Sequence, residues 1–307
     1  VMEIVVFGAG ALGSLVGGLL AREHPVTLVG REPHVTAVRE DGLQVAGAVE
    51  ATVTPHATTD GTGLDAELAV VTVKAGDTAT AGRQLATGDT ETVWSLTNGL
   101  VEERLRESLG DRVLAGTATY GAVSSNPGVV RCTGVGELHV GELAGNGNDA
   151  GDDTEPEPSS RARRVAAACR AAGLVATADP EMERRRWRKL AVNAGINAVT
   201  ALARVDNAAV ASGPGVAARA ARETARVARA EGVTLADETA VTAVRDVAAA
   251  TATNQSSMLQ DVRAGRPTEV DAINGAVVRR GTAAGVDTPT NRTLAELLQL
   301  WTTANAD

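Results

Sequence analysis

Glu3-Ile4-Val5-Val6-Phe7-Gly8-Ala9-Gly10-Ala11-Leu12-Gly13 stands near the start of the 307-residue chain and carries its main fold signal. Glu3 to Phe7 is a short β-branched run of the kind that forms a buried parallel strand. Ser14 to Arg22, after the last glycine, predicts a helix. A lone G-x-G-x-x-G is a weak motif, but strand, glycine turn and helix in that order predict a dinucleotide site. Gly8 permits the tight turn, Gly10 lets the backbone approach a pyrophosphate, and Gly13 lets the helix pack close to the strand. The phosphates are expected at the helix N-terminus, against Gly8, Ala9, Gly10, Ala11, Leu12 and Gly13. A purely structural glycine turn is the competing explanation.

Further strands follow the same grammar. Val26 to Val29 predicts the second strand, whose end in an NAD binder carries an acid for the ribose 2′-hydroxyl. Gly30-Arg31 stands there instead, which favours a 2′-phosphate and so NADPH over NADH, although Glu32 is adjacent. Glu67 to Val73 predicts a strand ending at Lys74, and Thr92 to Leu96 one ending at Thr97-Asn98-Gly99. Ligands in open parallel sheets bind beyond the carboxyl ends of strands, so Lys74 and Asn98 are expected on the edge that carries the glycine turn. Asn98 alone also fits an ordinary Asn-Gly turn. Arg112 to Val123 (with Tyr120), Gly128 to Cys132 and Glu137 to Glu142 predict strands that extend the sheet in antiparallel fashion. Gly145 to Ser160 is polar and glycine-rich, hence an exposed loop. Arg161 to Ala172 predicts a helix and Leu174 to Ala178 the last strand.

From Glu181 onward strand signals stop. Val216 to Glu231, Leu235 to Thr253, Ser256 to Arg263, Glu269 to Ala284 and Asn291 to Trp301 predict helices, with Asp237 and Thr268 as candidate caps. The chain thus predicts an α/β N-terminal dinucleotide-binding domain over 1–180 followed by an all-α C-terminal domain over 181–307. In the stretch Trp187 to Thr200, Lys189, Asn193 and Asn197 recur at helical spacing along one face of an otherwise apolar helix. Burying an ammonium and two amides is costly without partners. A structural hydrogen-bond ladder and a site wall both explain such a stripe.

Composition weighs toward the site wall without deciding it, since chance retention of a lysine is the competing explanation. The chain has 29 basic side chains, of which only Lys74 and Lys189 are lysines. Lysine gives up its proton when desolvated and arginine effectively does not, so a chain this rich in arginine keeps lysine most readily where proton chemistry needs it. The net charge of −9 argues against a nucleic-acid face, and is compatible with a soluble protein and with adaptation to salt. Cys132 and Cys169 lack metal-ligand spacing and are read as reduced residues of a cytoplasmic protein. His24, His34, His56 and His139 are scattered and read as surface or turn residues, so no metal is expected. No run of ~18 apolar residues occurs, so no membrane span is expected. The first apolar segment is at once a strand and a glycine turn, so no signal peptide is expected.

These pieces together resemble ketopantoate reductases (2-dehydropantoate 2-reductases). Beyond the glycine turn, the resemblance rests on Trp187-Arg188-Lys189-Leu190-Ala191-Val192-Asn193-Ala194-Gly195-Ile196-Asn197-Ala198-Val199-Thr200, on Ser256-Ser257-Met258-Leu259-Gln260-Asp261-Val262-Arg263, and on Thr268-Glu269-Val270-Asp271-Ala272-Ile273-Asn274-Gly275. It implies a Rossmann domain followed by a helical domain, with the active site in the cleft between them. The implied reaction is NADPH-dependent reduction of 2-dehydropantoate to pantoate, on the route to pantothenate and coenzyme A.

By position, the resemblance makes Lys189 the general acid and Glu269 the carboxylate that supports its charge and faces the cofactor. Asn98, Asn193, Asn197, Asn254 and Ser257 would line the substrate site, Asn98 also touching the cofactor, while Arg31 and Lys74 would face the adenosine phosphate. The chain departs from the family pattern where Val101 follows Asn98-Gly99-Leu100, where Thr97 replaces a common glutamine, and where Tyr120 replaces a frequent histidine. Another NAD(P)-dependent 2-keto acid or imine reductase, or a non-catalytic dinucleotide sensor, remains an alternative, and a homodimer is left open.

Overall fold

The structure is a computed structural model that describes residues 1–143, 157–212 and 215–305. The chain divides into two compact units, Val1–Thr97 with Val101–Glu183, and Asn98–Leu100 with Arg184–Asp307.

In the first unit, β1 (Ile4–Phe7), α1 (Ala11–Leu20), β2 (Val26–Val29) and α2 (His34–Asp41) come first, followed by β3 (Leu43–Gly47), β4 (Ala51–Val53) and β5 (His56–Thr58). Next come β6 (Ala66–Val71), α3 (Thr78–Leu85), β7 (Thr90–Ser95), α4 (Glu102–Leu109) and β8 (Val113–Ala118). β9 (Gly121–Asn126), β10 (Val129–Gly134), β11 (Leu138–Gly141), α5 (Ser160–Ala171) and β12 (Ala176–Ala178) complete the unit. Eight strands form one sheet in the order β12-β11-β8-β7-β6-β1-β2-β5. β1 is parallel to β2 and β6, and β7 is parallel to β6 and β8. All four residues of β1 are buried, as expected for a strand covered on both faces.

The antiparallel extension is smaller than expected. β11 runs antiparallel to β8, whereas β9 and β10 leave the main sheet and join β3 and β4 in a four-stranded one. β3, β4 and β5 are short and partly exposed, which weakened their pattern in the sequence. α1 packs against both sheets. A Cβ on Gly17 would lie 2.5 Å from Leu28 Cδ2 of the main sheet, and one on Gly18 2.9 Å from Leu43 Cδ2 and Val45 Cγ2 of the second. Two adjacent glycines, about 100° apart around the helix, let each sheet approach it closely.

Tyr120 falls between β8 and β9 rather than within one long strand, and its hydroxyl accepts the Val175 N–H at 2.9 Å. Burial pushes its pKa up. His139 is buried in β11, against the expectation of a surface residue. The loop expected over Gly145 to Ser160 lies outside the described residues as far as position 156. At its end Ser159 caps α5 by accepting the Ala162 N–H at 3.1 Å.

The second unit comprises Asn98–Leu100, α6 (Met182–Ala203) from Arg184 onward, α7 (Ala208–Ser212), α8 (Val216–Ala230) and α9 (Asp237–Ala250). α10 (Ser257–Arg263), α11 (Asn274–Ala284) and α12 (Pro289–Ala304) follow. Its core joins Trp187, Leu190 and Ile196 of α6 to Val227, Val244, Val277 and Leu298. Asp237 opens α9 as its first residue instead of capping it, and pairs with Arg229 at 2.8 Å.

The largest departure is at the start of α11. The sequence put Glu269 in the first helical turn with Thr268 as cap. The chain instead makes a turn in which Ala272 and Ile273 donate to Glu269 O at 3.0 and 3.1 Å, and the helix starts at Asn274. Thr268 Oγ1 is buried and has no hydrogen-bond partner among the described residues. The turn bonds only mimic a helical start, which a pattern read from residue types does not distinguish.

Candidate functional site

In the first unit the glycine turn has the shape a pyrophosphate cradle needs. Gly8 has φ +112°, and a Cβ there would lie 2.7 Å from Val73 N. The Gly8 and Ala9 N–H groups donate to Val29 O at 2.9 and 2.8 Å, and Thr72 Oγ1 donates to Gly8 O at 2.8 Å. A Cβ on Gly13 would come within 2.2 Å of Gly8 O, so only glycine lets α1 start this close to β1. Gly10 differs. Its Cβ position meets nothing nearer than 4.0 Å, and the residue is exposed. The protein leaves that space open, as a ligand approaching the backbone requires. Ala11 and Leu12 form the first turn of α1, where N–H groups lack intrahelical partners and the dipole favours an anion. No acidic side chain stands in that turn.

Arg31 and Lys74, after β2 and β6, are both exposed. Glu32, the acid that complicated the cofactor reading, accepts the Thr36 N–H at 3.0 Å. Hydrogen bonds from Thr36 hold its carboxyl below the usual range. Glu32 therefore serves the start of α2. Thr97 Oγ1 donates to Val73 O at 3.0 Å, which gives the residue in place of the common glutamine a backbone role.

In the second unit α6 carries the polar stripe. Lys189 and Asn193 are half-buried, and Asn197 is buried. Behind Asn197, Thr200 Oγ1 lies 2.7 Å from Ser256 Oγ, which accepts the Leu259 N–H at 3.1 Å and caps α10. This anchors the neighbouring Asn254 and Ser257, both exposed, beside α6. Asn98 Nδ2 donates to Glu269 Oε2 at 3.1 Å, joining two residues far apart in sequence. Gly99 makes this approach possible, since a Cβ there would lie 2.5 Å from Ala272 O.

Two asparagines were missed in the sequence reading. Asn274 Nδ2 donates to Ala194 O at 3.1 Å and to Asn291 Oδ1 at 3.0 Å, tying the first residue of α11 to α6 next to Asn193. Its place in the Glu269 motif was the available signal. Asn207 donates from its backbone to Asn254 O at 3.1 Å and from Nδ2 to Thr251 Oγ1 at 2.8 Å. Asn207 Oδ1 is buried with no hydrogen-bond partner among the described residues. Lying outside any periodic stretch, Asn207 offered no sequence signal. Among the described residues no group of three or more His, Cys, Asp or Glu could hold a metal. Nor is any helix there long and apolar enough to cross a membrane.

Comparison with known proteins bears on both units. Residues 4–145 match the family described as "Ketopantoate reductase PanE/ApbA", and residues 181–301 match "Ketopantoate reductase PanE/ApbA C terminal". A 2-dehydropantoate 2-reductase of Halobacterium salinarum is 45% identical, over 97% of this chain and 98% of that one. The crystal structure of a PanE/ApbA family ketopantoate reductase from Ralstonia eutropha superimposes with a TM-score of 0.87 at 32% identity, covering 100% of both chains. D-Mandelate dehydrogenase in ternary complex with NADH and anilino(oxo)acetate gives a TM-score of 0.88 at 26% identity, with 99% of each chain covered.

Proposed function

Because the chain belongs to the ketopantoate reductase family, we propose that it reduces 2-dehydropantoate to (R)-pantoate with NADPH. Residues 1–180 hold the dinucleotide and residues 181–307 carry the substrate and acid–base groups. The reaction lies in the cytoplasm, on the route to pantothenate and coenzyme A. The observation that supports the reading most directly is the Asn98–Glu269 hydrogen bond at 3.1 Å in the unit whose helix α6 presents Lys189, Asn193 and Asn197 along one face.

The nicotinamide, when bound, supplies a hydride to the 2-keto carbon. Gly8 to Gly13 would hold the pyrophosphate, and Arg31 and Lys74 would meet a 2′-phosphate. Lys189 neutralises the charge that develops on the keto oxygen and gives it a proton, which solvent then returns to the amine. Glu269 supports the ammonium, and Asn98 fixes the carboxylate. Asn193, Asn197, Asn254 and Ser257 orient the hydroxyl and carboxylate of the substrate.

A second reading, reduction of another 2-keto acid, is favoured by the fold likeness to D-mandelate dehydrogenase. Following cofactor absorbance with ketopantoate and with an aryl 2-keto acid, each with NADPH and NADH, tests both. The highest kcat/KM is expected for ketopantoate with NADPH. A higher value for the aryl acid would favour the second reading, and no turnover with any keto acid would mark a dinucleotide sensor.

A further inference from the structure

His34, the first residue of α2, is held by two other parts of the cofactor-binding unit. The Gly128 N–H, from the turn between β9 and β10, donates to Nδ1 at 3.1 Å. That bond requires an unprotonated Nδ1, so the proton of the neutral ring sits on Nε2. Nε2 then donates to Ser14 Oγ at 3.0 Å. Ser14 is fully buried in α1 and its N–H donates to Gly10 O at 2.8 Å, so it is rigidly joined to the glycine turn. At the backbone, the His34 and Val35 N–H groups donate to Arg31 O at 3.1 and 3.3 Å. Through its side chain and its backbone, His34 therefore links the helix that follows the glycine turn, the β9–β10 turn, and the segment that carries Arg31. Burial also keeps the imidazole pKa below its ordinary value, in keeping with the neutral ring these bonds require.

A guanidinium recognises a phosphate through directed bidentate hydrogen bonds, so its usefulness depends on where the chain holds it. Arg31 is exposed, and its carbonyl is held by the backbone N–H groups of His34, whose side chain Ser14 and Gly128 fix, and of Val35. NADH has no 2′-phosphate and does not register the position of this group. We propose that His34 is a positioning residue for Arg31, and that the Ser14–His34–Gly128 clamp sets the discrimination between NADPH and NADH. The inference rests on the reading of Arg31 as the 2′-phosphate ligand.

The test is fluorescence titration of the full-length protein with NADPH and with NADH, alongside thermal melting, for wild type, R31A, S14A, H34L and H34N. S14A and H34L are expected to raise the Kd for NADPH about tenfold and that for NADH less than about twofold, the size of effect expected for a misaligned charge-assisted contact. H34N keeps an acceptor near the Gly128 N–H and should fall between them and wild type. Equal shifts for both cofactors, or none, in folded S14A and H34L would overturn the proposal. If R31A lowers the NADPH preference while S14A and H34L keep it, the clamp alone is wrong. If R31A leaves the preference unchanged, the Arg31 reading fails and this proposal fails with it.

Discussion

Asn98 Nδ2 donates to Glu269 Oε2 at 3.1 Å. An amide donor at that distance fixes the orientation of a carboxylate without altering its charge. Replacing Asn98 with Ala should lower kcat/KM about tenfold, as for loss of one hydrogen bond to a charged group. Replacing it with Asp places a second carboxyl where the amide stood, and two like charges in contact cannot both ionise readily. N98D should therefore lose more kcat/KM than N98A, because it adds repulsion to the loss of the donor. A loss in N98D no larger than that in N98A, or no loss in either, would mean that the Asn98–Glu269 contact plays no part in the reaction.

Lys189 is the second test. K189A should lower kcat by about 10²-fold or more, as for loss of a positioned general acid. The Kd for NADPH should stay within about twofold of wild type if the lysine acts on the keto oxygen and not on cofactor binding. K189R keeps the positive charge but cannot deliver a proton at neutral pH, so it should remain closer to K189A than to wild type. Single-turnover absorbance and a cofactor titration on the same preparations distinguish these outcomes. Near-normal turnover by K189A would remove the lysine from the mechanism.

Gly10 and Gly13 separate a ligand effect from a folding effect. A Cβ at Gly13 would sit 2.2 Å from Gly8 O, while one at Gly10 would meet nothing nearer than 4.0 Å. G13A should therefore lower the melting temperature and weaken NADPH binding together. G10A should melt like wild type yet bind NADPH at least about tenfold more weakly, because its methyl occupies space a pyrophosphate needs. Normal NADPH affinity in G10A would show that the phosphates do not lie over Gly10.

Much of this architecture was legible because strong local signals coincide. A fully buried β1, a glycine turn and α1 stand in sequence, and the polar stripe of α6 follows from helical spacing alone. The misses share a physical cause. β3, β4 and β5 are short and their burial comes from tertiary contacts, so they leave little pattern. The turn before α11 imitates a helix start in residue types and in its bonds to Glu269 O, yet the helix itself begins only at Asn274. His34 read as a surface or turn residue because its partners, Ser14 and Gly128, lie 20 and 94 positions away in sequence. The Asn98–Glu269 bond likewise spans 171 positions, and periodicity carries no information at that range.

His34 also predicts how stability changes with pH. Burial lowers its folded-state pKa below the ordinary value of 6.5, and in the unfolded chain the ring titrates at that ordinary value. Between the two values the unfolded state binds more protons than the native state, so stability rises with pH. The contribution is fully present above about pH 6.5 and is lost as pH falls through the lowered folded value. Protonation at Nδ1 would also expel the Gly128 N–H from its acceptor. The melting temperature of wild type should therefore fall more steeply between about pH 7 and pH 5 than that of H34L, whatever the offset between the two curves. Carboxylates are protonated mainly below this window and are common to both proteins, so the difference between the slopes isolates the imidazole. Parallel curves would mean that His34 has the same proton affinity folded and unfolded.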